Sequence, residues 1–335
     1  MIFREESVIK RIWKEHKALR IIAVIILIIV IIVSGLFISV NMILSRANKA
    51  RNTFAIAGQE YIEKKKMTNI LLLGCDKRED LINHSGIAGQ NGQTDFICLA
   101  SIDWENETVY LTSIPRETVT DIHVRDNDGN VTQVESKQLC LEYAYGRSPD
   151  EGSQYMVDAV SQILGGTSID YYCTISMGAI IGLLDDVGGV TVNVSNDCET
   201  TLWEYKAGDV VDMTGDEAYE FIHFRSIYTD YSNLDRMGRQ KDFMAAFVPK
   251  LKSAIKSNYK LPWKWANKYN TYYVSNIPEY MYPFIAYAVL KYNYGFDSMT
   301  QISGIEEHRD NHDWFYVDSD GVDAMLSVTL YDRRK

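Results

Sequence analysis

The sequence lacks the cysteine patterns that hold structural zinc or a disulfide framework. Its five cysteines are an odd number, and no two of them form a Cys-x-x-Cys pair, so neither kind of site is indicated. Cys75, Cys98 and Cys173 fall in apolar, strand-like runs, where a free cysteine behaves as a small buried hydrophobic residue. A single disulfide stays open as an alternative if the domain lies in an oxidising exterior.

Basic residues are scarce relative to acidic ones. The chain has 34 Lys and Arg against 45 Asp and Glu, a net charge of −11. Residues 1–40 carry +3 of this total, so the remainder of the chain carries −14. A large domain of that charge repels nucleic acid, which binds broad basic faces. We therefore expect no nucleic-acid partner.

Residues 67–335 contain neither an internal repeat nor a linker rich in Pro, Gly and Ser. A stretch of this length can enclose one large core, which predicts a single globular domain. Short apolar runs such as 69–74, 96–102 and 108–114 are typical of strands covered on both faces. Segments with helical periodicity follow, among them 153–164 and 235–256. This alternation predicts a layered α/β/α domain with a central mixed sheet.

One long apolar run is present near the N-terminus. Residues 21–40 are twenty positions without a charge, long enough for a helix to cross a bilayer. Six basic residues precede the run and three follow it within about a dozen residues, which places the N-terminus in the cytoplasm. We expect a cytoplasmic segment at 1–20, a transmembrane helix at 21–43 and a polar, partly helical stalk at 44–66. The domain from residue 67 would then be extracellular, in a single-pass protein of the cell membrane.

A cleaved signal peptide is the alternative interpretation of the same run. Its apolar core is normally shorter and is followed closely by a small-residue cleavage site. The motif Ala55-Ile-Ala57 has the required shape, but it lies beyond three basic residues and far from the run. The sequence therefore favours an uncleaved anchor.

Two acids lie where predicted strands end or begin. Asp76 follows the strand at 69–74, and Asp95 precedes the strand at 96–102. If these strands are antiparallel neighbours, both carboxylates reach the same edge of the sheet. Two acids at such a position can hold a hard cation such as Mg²⁺, with waters and ligand phosphates completing its shell. Either acid could instead simply cap a turn.

Arginines form the second group of candidate residues. Arg116 directly follows a predicted strand, Arg225 comes about a hundred residues later, and Arg236 and Arg239 share one face of a predicted helix with Gln240. Arginine forks bind phosphate oxygens bidentately, and in an acidic chain a convergent arginine group needs a specific anionic ligand. For Arg239, an ordinary i,i+4 ion pair with Asp235 is the alternative.

Apart from Arg225, these residues lie in segments that resemble the LytR–CpsA–Psr family of cell-wall glycopolymer transferases. The similar segments occur in the family's order between about residues 67 and 245. They are 69–76, 94–103, 111–117, 143–146, 170–172, 184–190, 215–219 and 235–240. The single N-terminal anchor is also similar to the family, and the domain at 67–335 is accordingly identified as its catalytic domain.

The resemblance implies a phosphotransferase that takes a glycopolymer from a polyprenyl-pyrophosphate carrier and attaches it to peptidoglycan by a phosphodiester. The polymer would be a teichoic acid, a capsule or a similar glycan, and the cofactor Mg²⁺ or Mn²⁺. Asp76 and Asp95 would be the catalytic, metal-side acids. The resemblance assigns pyrophosphate binding to Arg116, which would also be catalytic, and to Arg225, Arg236 and Gln240, with Gln93, His223 and Arg239 as further candidates.

Three residues depart from the family pattern. Gln93 stands where the family often has Arg, Glu117 where it commonly has Asp, and His223 where it has the first arginine of Arg-x-Arg. Neither glutamine nor histidine replaces a guanidinium fork. Two other functions therefore stay open: a non-catalytic lipid-pyrophosphate binder that senses or scaffolds envelope assembly, and a pyrophosphate hydrolase. The identity of the general base also stays open. Asp76, Asp95 and Asp235 are candidates, and a metal-bound arrangement could need none of them.

Overall fold

A computed structural model of the chain describes residues 51–83, 85–224, 232–293, 299–309 and 312–334. Its strands are β1 Thr53–Ile56, β2 Gln59–Glu63, β3 Met67–Cys75, β4 Thr94–Asp103, β5 Thr108–Ser113, β6 Val119–Arg125, β7 Val131–Gln138, β8 Tyr171–Ser176, β9 Val190–Asn193, β10 Cys198–Glu199, β11 Glu204–Tyr205, β12 Val210–Met213, β13 Tyr273–Ser275, β14 Met299–Gln301, β15 Gly304–Arg309, β16 His312–Val317 and β17 Tyr331–Arg333. Its α-helices are α1 Pro149–Ile163, α2 Met177–Asp186, α3 Gly215–His223, α4 Ser232–Ser257, α5 Leu261–Lys268, α6 Tyr282–Lys291 and α7 Ser319–Thr329, with 3₁₀ helices at Leu139–Tyr145 and Glu279–Met281.

The centre of the fold is a six-stranded sheet in the order β13-β8-β3-β4-β5-β14. Strand β3 pairs parallel with β8 and antiparallel with β4, and β5 pairs antiparallel with β4. At the edges, β14 runs parallel to β5 and β13 antiparallel to β8. The predicted central mixed sheet is therefore confirmed.

Helices cover both faces of this sheet. Side chains of a strand point alternately to opposite faces. On one face Leu71, Leu73 and Leu99 pack into a core with Met156 of α1 and Leu326 of α7. On the other face lie α2, α3 and α4, which share a second cluster of buried residues. The sheet is thus the middle layer between two layers of helices.

Helix α3 begins at a capping box formed by Thr214 and Glu217. The backbone N–H of Thr214 donates to Glu217 Oε2 at 2.8 Å, so an orphan donor at the helix start is satisfied. The helix ends with His223, followed by Phe224. Because α4 packs against α3, the end of α3 and the first turns of α4 meet at one edge of the sheet.

The segment at 51–66 differs from the expected partly helical stalk. Strands β1 and β2 form a hairpin, and β2 pairs antiparallel with β17 at the end of the domain, Glu63 opposite Tyr331. Glu63 is buried and its Oε1 accepts from the backbone N–H of Ser168 at 2.6 Å. Residues 51–66 are therefore tied to the globular domain by pairing with a strand that is very distant in sequence.

No helix within the described ranges is long and apolar enough to cross a membrane. The predicted transmembrane helix at 21–43 lies outside those ranges and stays a prediction.

Candidate functional site

The ends of β3 and β4 bring the two predicted acids together. Because the strands are antiparallel, Cys75 lies opposite Thr94. Asp76 and Gln93 are joined by two hydrogen bonds: Asp76 N–H donates to the Gln93 carbonyl at 2.9 Å, and Gln93 N–H donates to Asp76 Oδ1 at 2.9 Å. Burial raises the pKa of Asp76; the bond from Gln93 lowers it, and the nearby charge of Asp95 raises it.

Arg116 joins this edge from the end of β5. Its Nη1 contacts Asp95 Oδ1 and its Nη2 contacts Gln93 Oε1, so the two ends of the guanidinium fork are held by two different acceptors. The Arg116 carbonyl accepts from the Cys140 N–H at 3.1 Å, which fixes the backbone. The arginine is therefore oriented by its surroundings rather than extended into solvent.

Arg236 reaches the same carboxylate from the first turns of α4. Its side chain is 2% exposed, and its Nη1 lies 3.2 Å from Asp95 Oδ2. His223, at the end of α3, places Nε2 3.8 Å from the same Asp95 oxygen and stacks its ring on Tyr219 with centroids 5.0 Å apart. Asp95 is thus the carboxylate on which two arginines and a histidine converge.

Glu117 completes the cluster, although in the sequence it stands out only as a departure from the family pattern. It is fully buried. Its Oε1 lies 3.4 Å from Nε of Arg116 and 3.7 Å from Nη2 of Arg236. Two carboxylates, of Asp95 and Glu117, therefore balance the two buried guanidinium groups. Its position directly after Arg116 was the available signal, but neighbouring positions in sequence do not reveal a shared contact with a helix over a hundred residues away.

Arg239 and Gln240 make a different kind of contact. The Nε of Arg239 donates to the Phe221 carbonyl at 2.6 Å, and its Nη2 contacts the Phe224 carbonyl. These carbonyl groups belong to the C-terminal end of α3, where the helix dipole also stabilises a cation. Gln240 Nε2 donates to the Ile222 carbonyl at 3.3 Å. The structure thus places Arg239 on backbone carbonyls, neither in the Asp95 cluster nor in the alternative ion pair.

Arg225, predicted from the sequence to join Arg116 and Arg236, lies outside the described residues. Its assignment to the pyrophosphate stays a prediction.

An apolar cavity of about 210 Å³ lies between the sheet and helices α2, α3 and α4, and its lining reaches Phe96 and Ile222, the chain neighbours of Asp95 and His223. Its lining includes Leu72, Phe96, Ile175, Ile180, Phe243 and Phe247. Gln240 also lines it, one helical turn after Arg236. Gly74 lies in its wall, where an added Cβ would come within 3.0 Å of both Met177 Sδ and Phe96 Cβ. Sequence alone could not reveal this space, because the same apolar residues would also fill an ordinary core.

The acids fit a magnesium ion by donor type. Within the residues that the structure describes, no three or more His, Cys, Asp or Glu side chains form a metal-binding group. Magnesium, however, often uses only one or two carboxylates, with waters and substrate phosphates as its other ligands. The raised pKa of Asp76, caused by burial and by the charge of Asp95, is the electrostatic condition that a bound cation would relieve.

The chain is similar in sequence to known proteins. The family model described as LytR_cpsA_psr family matches residues 35–325. Two proteins named polyisoprenyl-teichoic acid–peptidoglycan teichoic acid transferase TagU are similar to the chain. The protein of Bacillus cereus is 30% identical over 190 residues, 56% of this chain and 54% of its own length. The protein of Halalkalibacterium halodurans is 28% identical over 180 residues, 54% of this chain and 52% of its own length. The chain thus matches about half the length of these relatives.

The fold is also similar to solved structures. The crystal structure of B. subtilis TagV superposes with a TM-score of 0.57 at 24% identity, covering 78% of this chain and 94% of that one. At this identity the likeness concerns the fold.

Proposed function

The chain belongs to the LytR–CpsA–Psr family, and from that premise we propose that it is a phosphotransferase attaching a glycopolymer to peptidoglycan through a phosphodiester. The donor would be the glycopolymer on a polyprenyl-pyrophosphate carrier. The observation that carries the proposal is the pair of buried arginines, Arg116 and Arg236, beside an apolar cavity. This arrangement offers an anion site and a lipid site side by side.

The arginine pair suits a pyrophosphate headgroup. Guanidinium forks match phosphate oxygens in geometry, and the guanidinium–phosphate interaction becomes stronger where water is excluded. Arg116 and Arg236 approach one point, Asp95, from the sheet and from α4. An arriving pyrophosphate would compete with Asp95 for these donors, and Arg225 is proposed as a further donor.

The cavity suits the lipid part of the carrier. It is walled by strands β3 and β8 and by helices α2 and α4, and its aliphatic and aromatic lining would shield isoprenoid units from water. Gln240 lies both in this wall and on the α4 face next to Arg236. We propose that it marks the junction between headgroup and tail.

The proposed reaction forms one bond and breaks one. An acceptor hydroxyl oxygen of peptidoglycan bonds to the phosphorus that carries the glycan, the P–O bond to the carrier breaks, and polyprenyl phosphate leaves with the electron pair. The hydroxyl proton passes to a carboxylate, for which Asp76 is best suited because burial raises its pKa. Asp95 is less suited because two guanidinium groups engage its oxygens.

The guanidinium groups would stabilise the negative charge that develops on the transferred phosphoryl group and on the leaving phosphate. Asp76 and Asp95 would hold Mg²⁺ or Mn²⁺, which supplies further positive charge to the pyrophosphate oxygens when bound.

Location and polymer are part of the same proposal. A lipid-linked donor lies in a membrane, which is consistent with an anchor at 21–43 and an extracellular catalytic domain. The names of the two relatives favour a teichoic acid as the polymer; a capsule polysaccharide is the alternative.

The experiment is a reconstitution of the full chain in detergent with a polyprenyl-pyrophosphate teichoic acid, peptidoglycan fragments and Mg²⁺. We expect mass spectrometry to detect the phosphodiester product. Chelation of the metal should abolish product formation, and adding Mn²⁺ should restore it. Released phosphorylated glycan without a phosphodiester would instead identify a hydrolase. Unaltered donor that copurifies with the protein would identify a non-catalytic binder. The ion-pair cluster around Asp95 is compatible with that function as well.

A further inference from the structure

We infer that Glu117 is a positioning residue, which holds the guanidinium groups of Arg116 and Arg236 in the orientation that receives a pyrophosphate. The inference rests on the proposed function, since it deepens the account of the same site. Neither the sequence motifs nor the residues assigned to pyrophosphate binding give this buried acid a role.

The backbone around Glu117 is fixed from two directions. The Glu117 carbonyl accepts from the Phe315 N–H of β16 at 3.0 Å, and the Thr118 carbonyl accepts from the Leu139 N–H at 2.8 Å. Thr118 is fully buried as well. The carboxylate therefore projects from a rigid loop into the cluster, and its position is set before any ligand arrives.

Glu117 and Asp95 contact different nitrogens of the two arginines. Asp95 lies against Nη1 of both Arg116 and Arg236, whereas Glu117 lies near Nε of Arg116 and Nη2 of Arg236. A pyrophosphate can therefore replace the contacts with Asp95 while Glu117 still holds both side chains. Asp95 is the exchangeable partner, and Glu117 is the permanent one.

Burial makes this division of roles consequential. A carboxylate removed from water is costly unless it is paired, and so is a guanidinium. Without Glu117, the two buried cations would lose a carboxylate that they share and would be driven to turn toward water or toward other acceptors. Their geometry would then no longer match a phosphate fork.

The inference predicts a change opposite in sign to simple electrostatics. The substitution Glu117→Gln keeps the shape of the side chain and removes one negative charge from an anion-binding site. If charge alone mattered, pyrophosphate would bind more tightly. If Glu117 positions the arginines, binding weakens, and we expect a loss of about tenfold.

The test uses the full chain in detergent, with inorganic pyrophosphate as the probe and isothermal titration calorimetry as the measurement. Glu117→Asp keeps the charge on a shorter arm and should weaken binding by about threefold, between the parent and Glu117→Gln. The matched control is Glu142→Gln. Glu142 is equally buried and pairs with Arg125 at 2.7 Å, but it lies outside the Asp95 cluster, so pyrophosphate affinity should stay at the parent value.

Several outcomes overturn the inference. One is Glu117→Gln binding pyrophosphate as tightly as the parent or more tightly, and another is Glu142→Gln losing affinity to the same extent. If Glu117→Gln does not fold, parent-like affinity of Glu117→Asp overturns it equally. Failure of the parent to bind pyrophosphate would instead contradict the proposed function. In that event a crystal structure of Glu117→Gln or Glu117→Asp decides, because unmoved Arg116 and Arg236 guanidinium groups would show that Glu117 does not position them.

Discussion

The two faces of the central sheet use similar residues for different purposes. On the face covered by α1 and α7, Leu71 and Leu73 of β3 are buried in a continuous core. On the face covered by α2, α3 and α4, the intervening Leu72 and the following Gly74 line a cavity that reaches Phe96, the chain neighbour of Asp95 in the arginine cluster. Strand β3 therefore contributes to both faces, which we call the packed face (under α1 and α7) and the hollow face (under α2, α3 and α4).

The two faces are expected to contribute differently, the packed face to stability and the hollow face to binding. A filled core gains transfer free energy and dispersion contacts, and a cavity forgoes part of both. The fold tolerates the hollow face because the other face carries much of the packing. The following changes test whether the two faces divide these roles.

The largest effect should come from the charged cluster of the hollow face. In Arg236→Lys the charge stays but the fork is lost, and we expect transfer to fall by about 10²- to 10³-fold, as when one charge-stabilising donor is removed. The control is Arg125→Lys, because Arg125 is another little-exposed arginine paired with a buried acid, and it stacks on Tyr155 of α1. Product formation by both variants is the measurement, and equal losses would contradict the division.

The packed face should dominate stability. Leu71→Ala, at a fully buried position, should lower the free energy of unfolding by about 3 kcal/mol. Leu72→Ala borders existing empty space, so the loss should be only about 1 kcal/mol. Urea unfolding of both variants checks this difference, and equal losses would show that the hollow face is as tightly packed as the other.

Filling the cavity should affect the lipid and not the headgroup. Ile180→Phe adds volume to the cavity wall and should weaken binding of a long-chain polyprenyl pyrophosphate by about tenfold. Affinity for inorganic pyrophosphate should not change. The same substitution on the packed face, Ile163→Phe in α1, should leave both affinities at the parent value. Unaltered carrier binding by Ile180→Phe would place the tail elsewhere.

The smallest effect concerns the stability cost of Asp76. Burial raises the folded-state pKa of this carboxyl above its ordinary value, so its ionised form disfavours folding once the pH exceeds the unfolded pKa. Asp76→Asn should therefore be at least as stable as the parent at neutral pH. Thermal melts at several pH values test this prediction, and a less stable variant at neutral pH would contradict it.

The same shift gives the sign of the pH dependence of transfer. If ionised Asp76 accepts the proton, the rate of the Mg²⁺-loaded parent should fall as the pH drops through the pKa of Asp76, which the bound cation keeps below its metal-free value, and should recover above that pKa. A pH–rate profile without this acid limb would remove Asp76 from the role of base.

The parts of the fold set by local sequence were predictable. Strand β3 was evident from its apolar run, and the meeting of Asp76 with Asp95 from the strand ends. The pairing of β2 with β17 was not predictable, because its partners are more than 250 residues apart. Long-range pairing leaves no mark in a local pattern.

Within the site, residue types were predictable and partners were not. Arg116 and Arg236 were expected to converge and do so, but nothing in the spacing of Arg239 indicated the carbonyl groups of Phe221 and Phe224. The fixed place of Glu117 between two guanidinium groups depends on how α4 packs against the sheet. The cavity likewise depends on volume left between elements, which composition does not encode.

The most direct test of the central claim is photo-crosslinking of the full chain with a polyprenyl pyrophosphate that carries a photoreactive group in its tail. The account predicts labelled peptides from the cavity wall, around Ile180 of α2 and Phe247 of α4, and competition by unlabelled polyprenyl pyrophosphate. Labelling that maps to α1 and α7, or that persists in the presence of the competitor, would contradict the assignment of the hollow face as the carrier site.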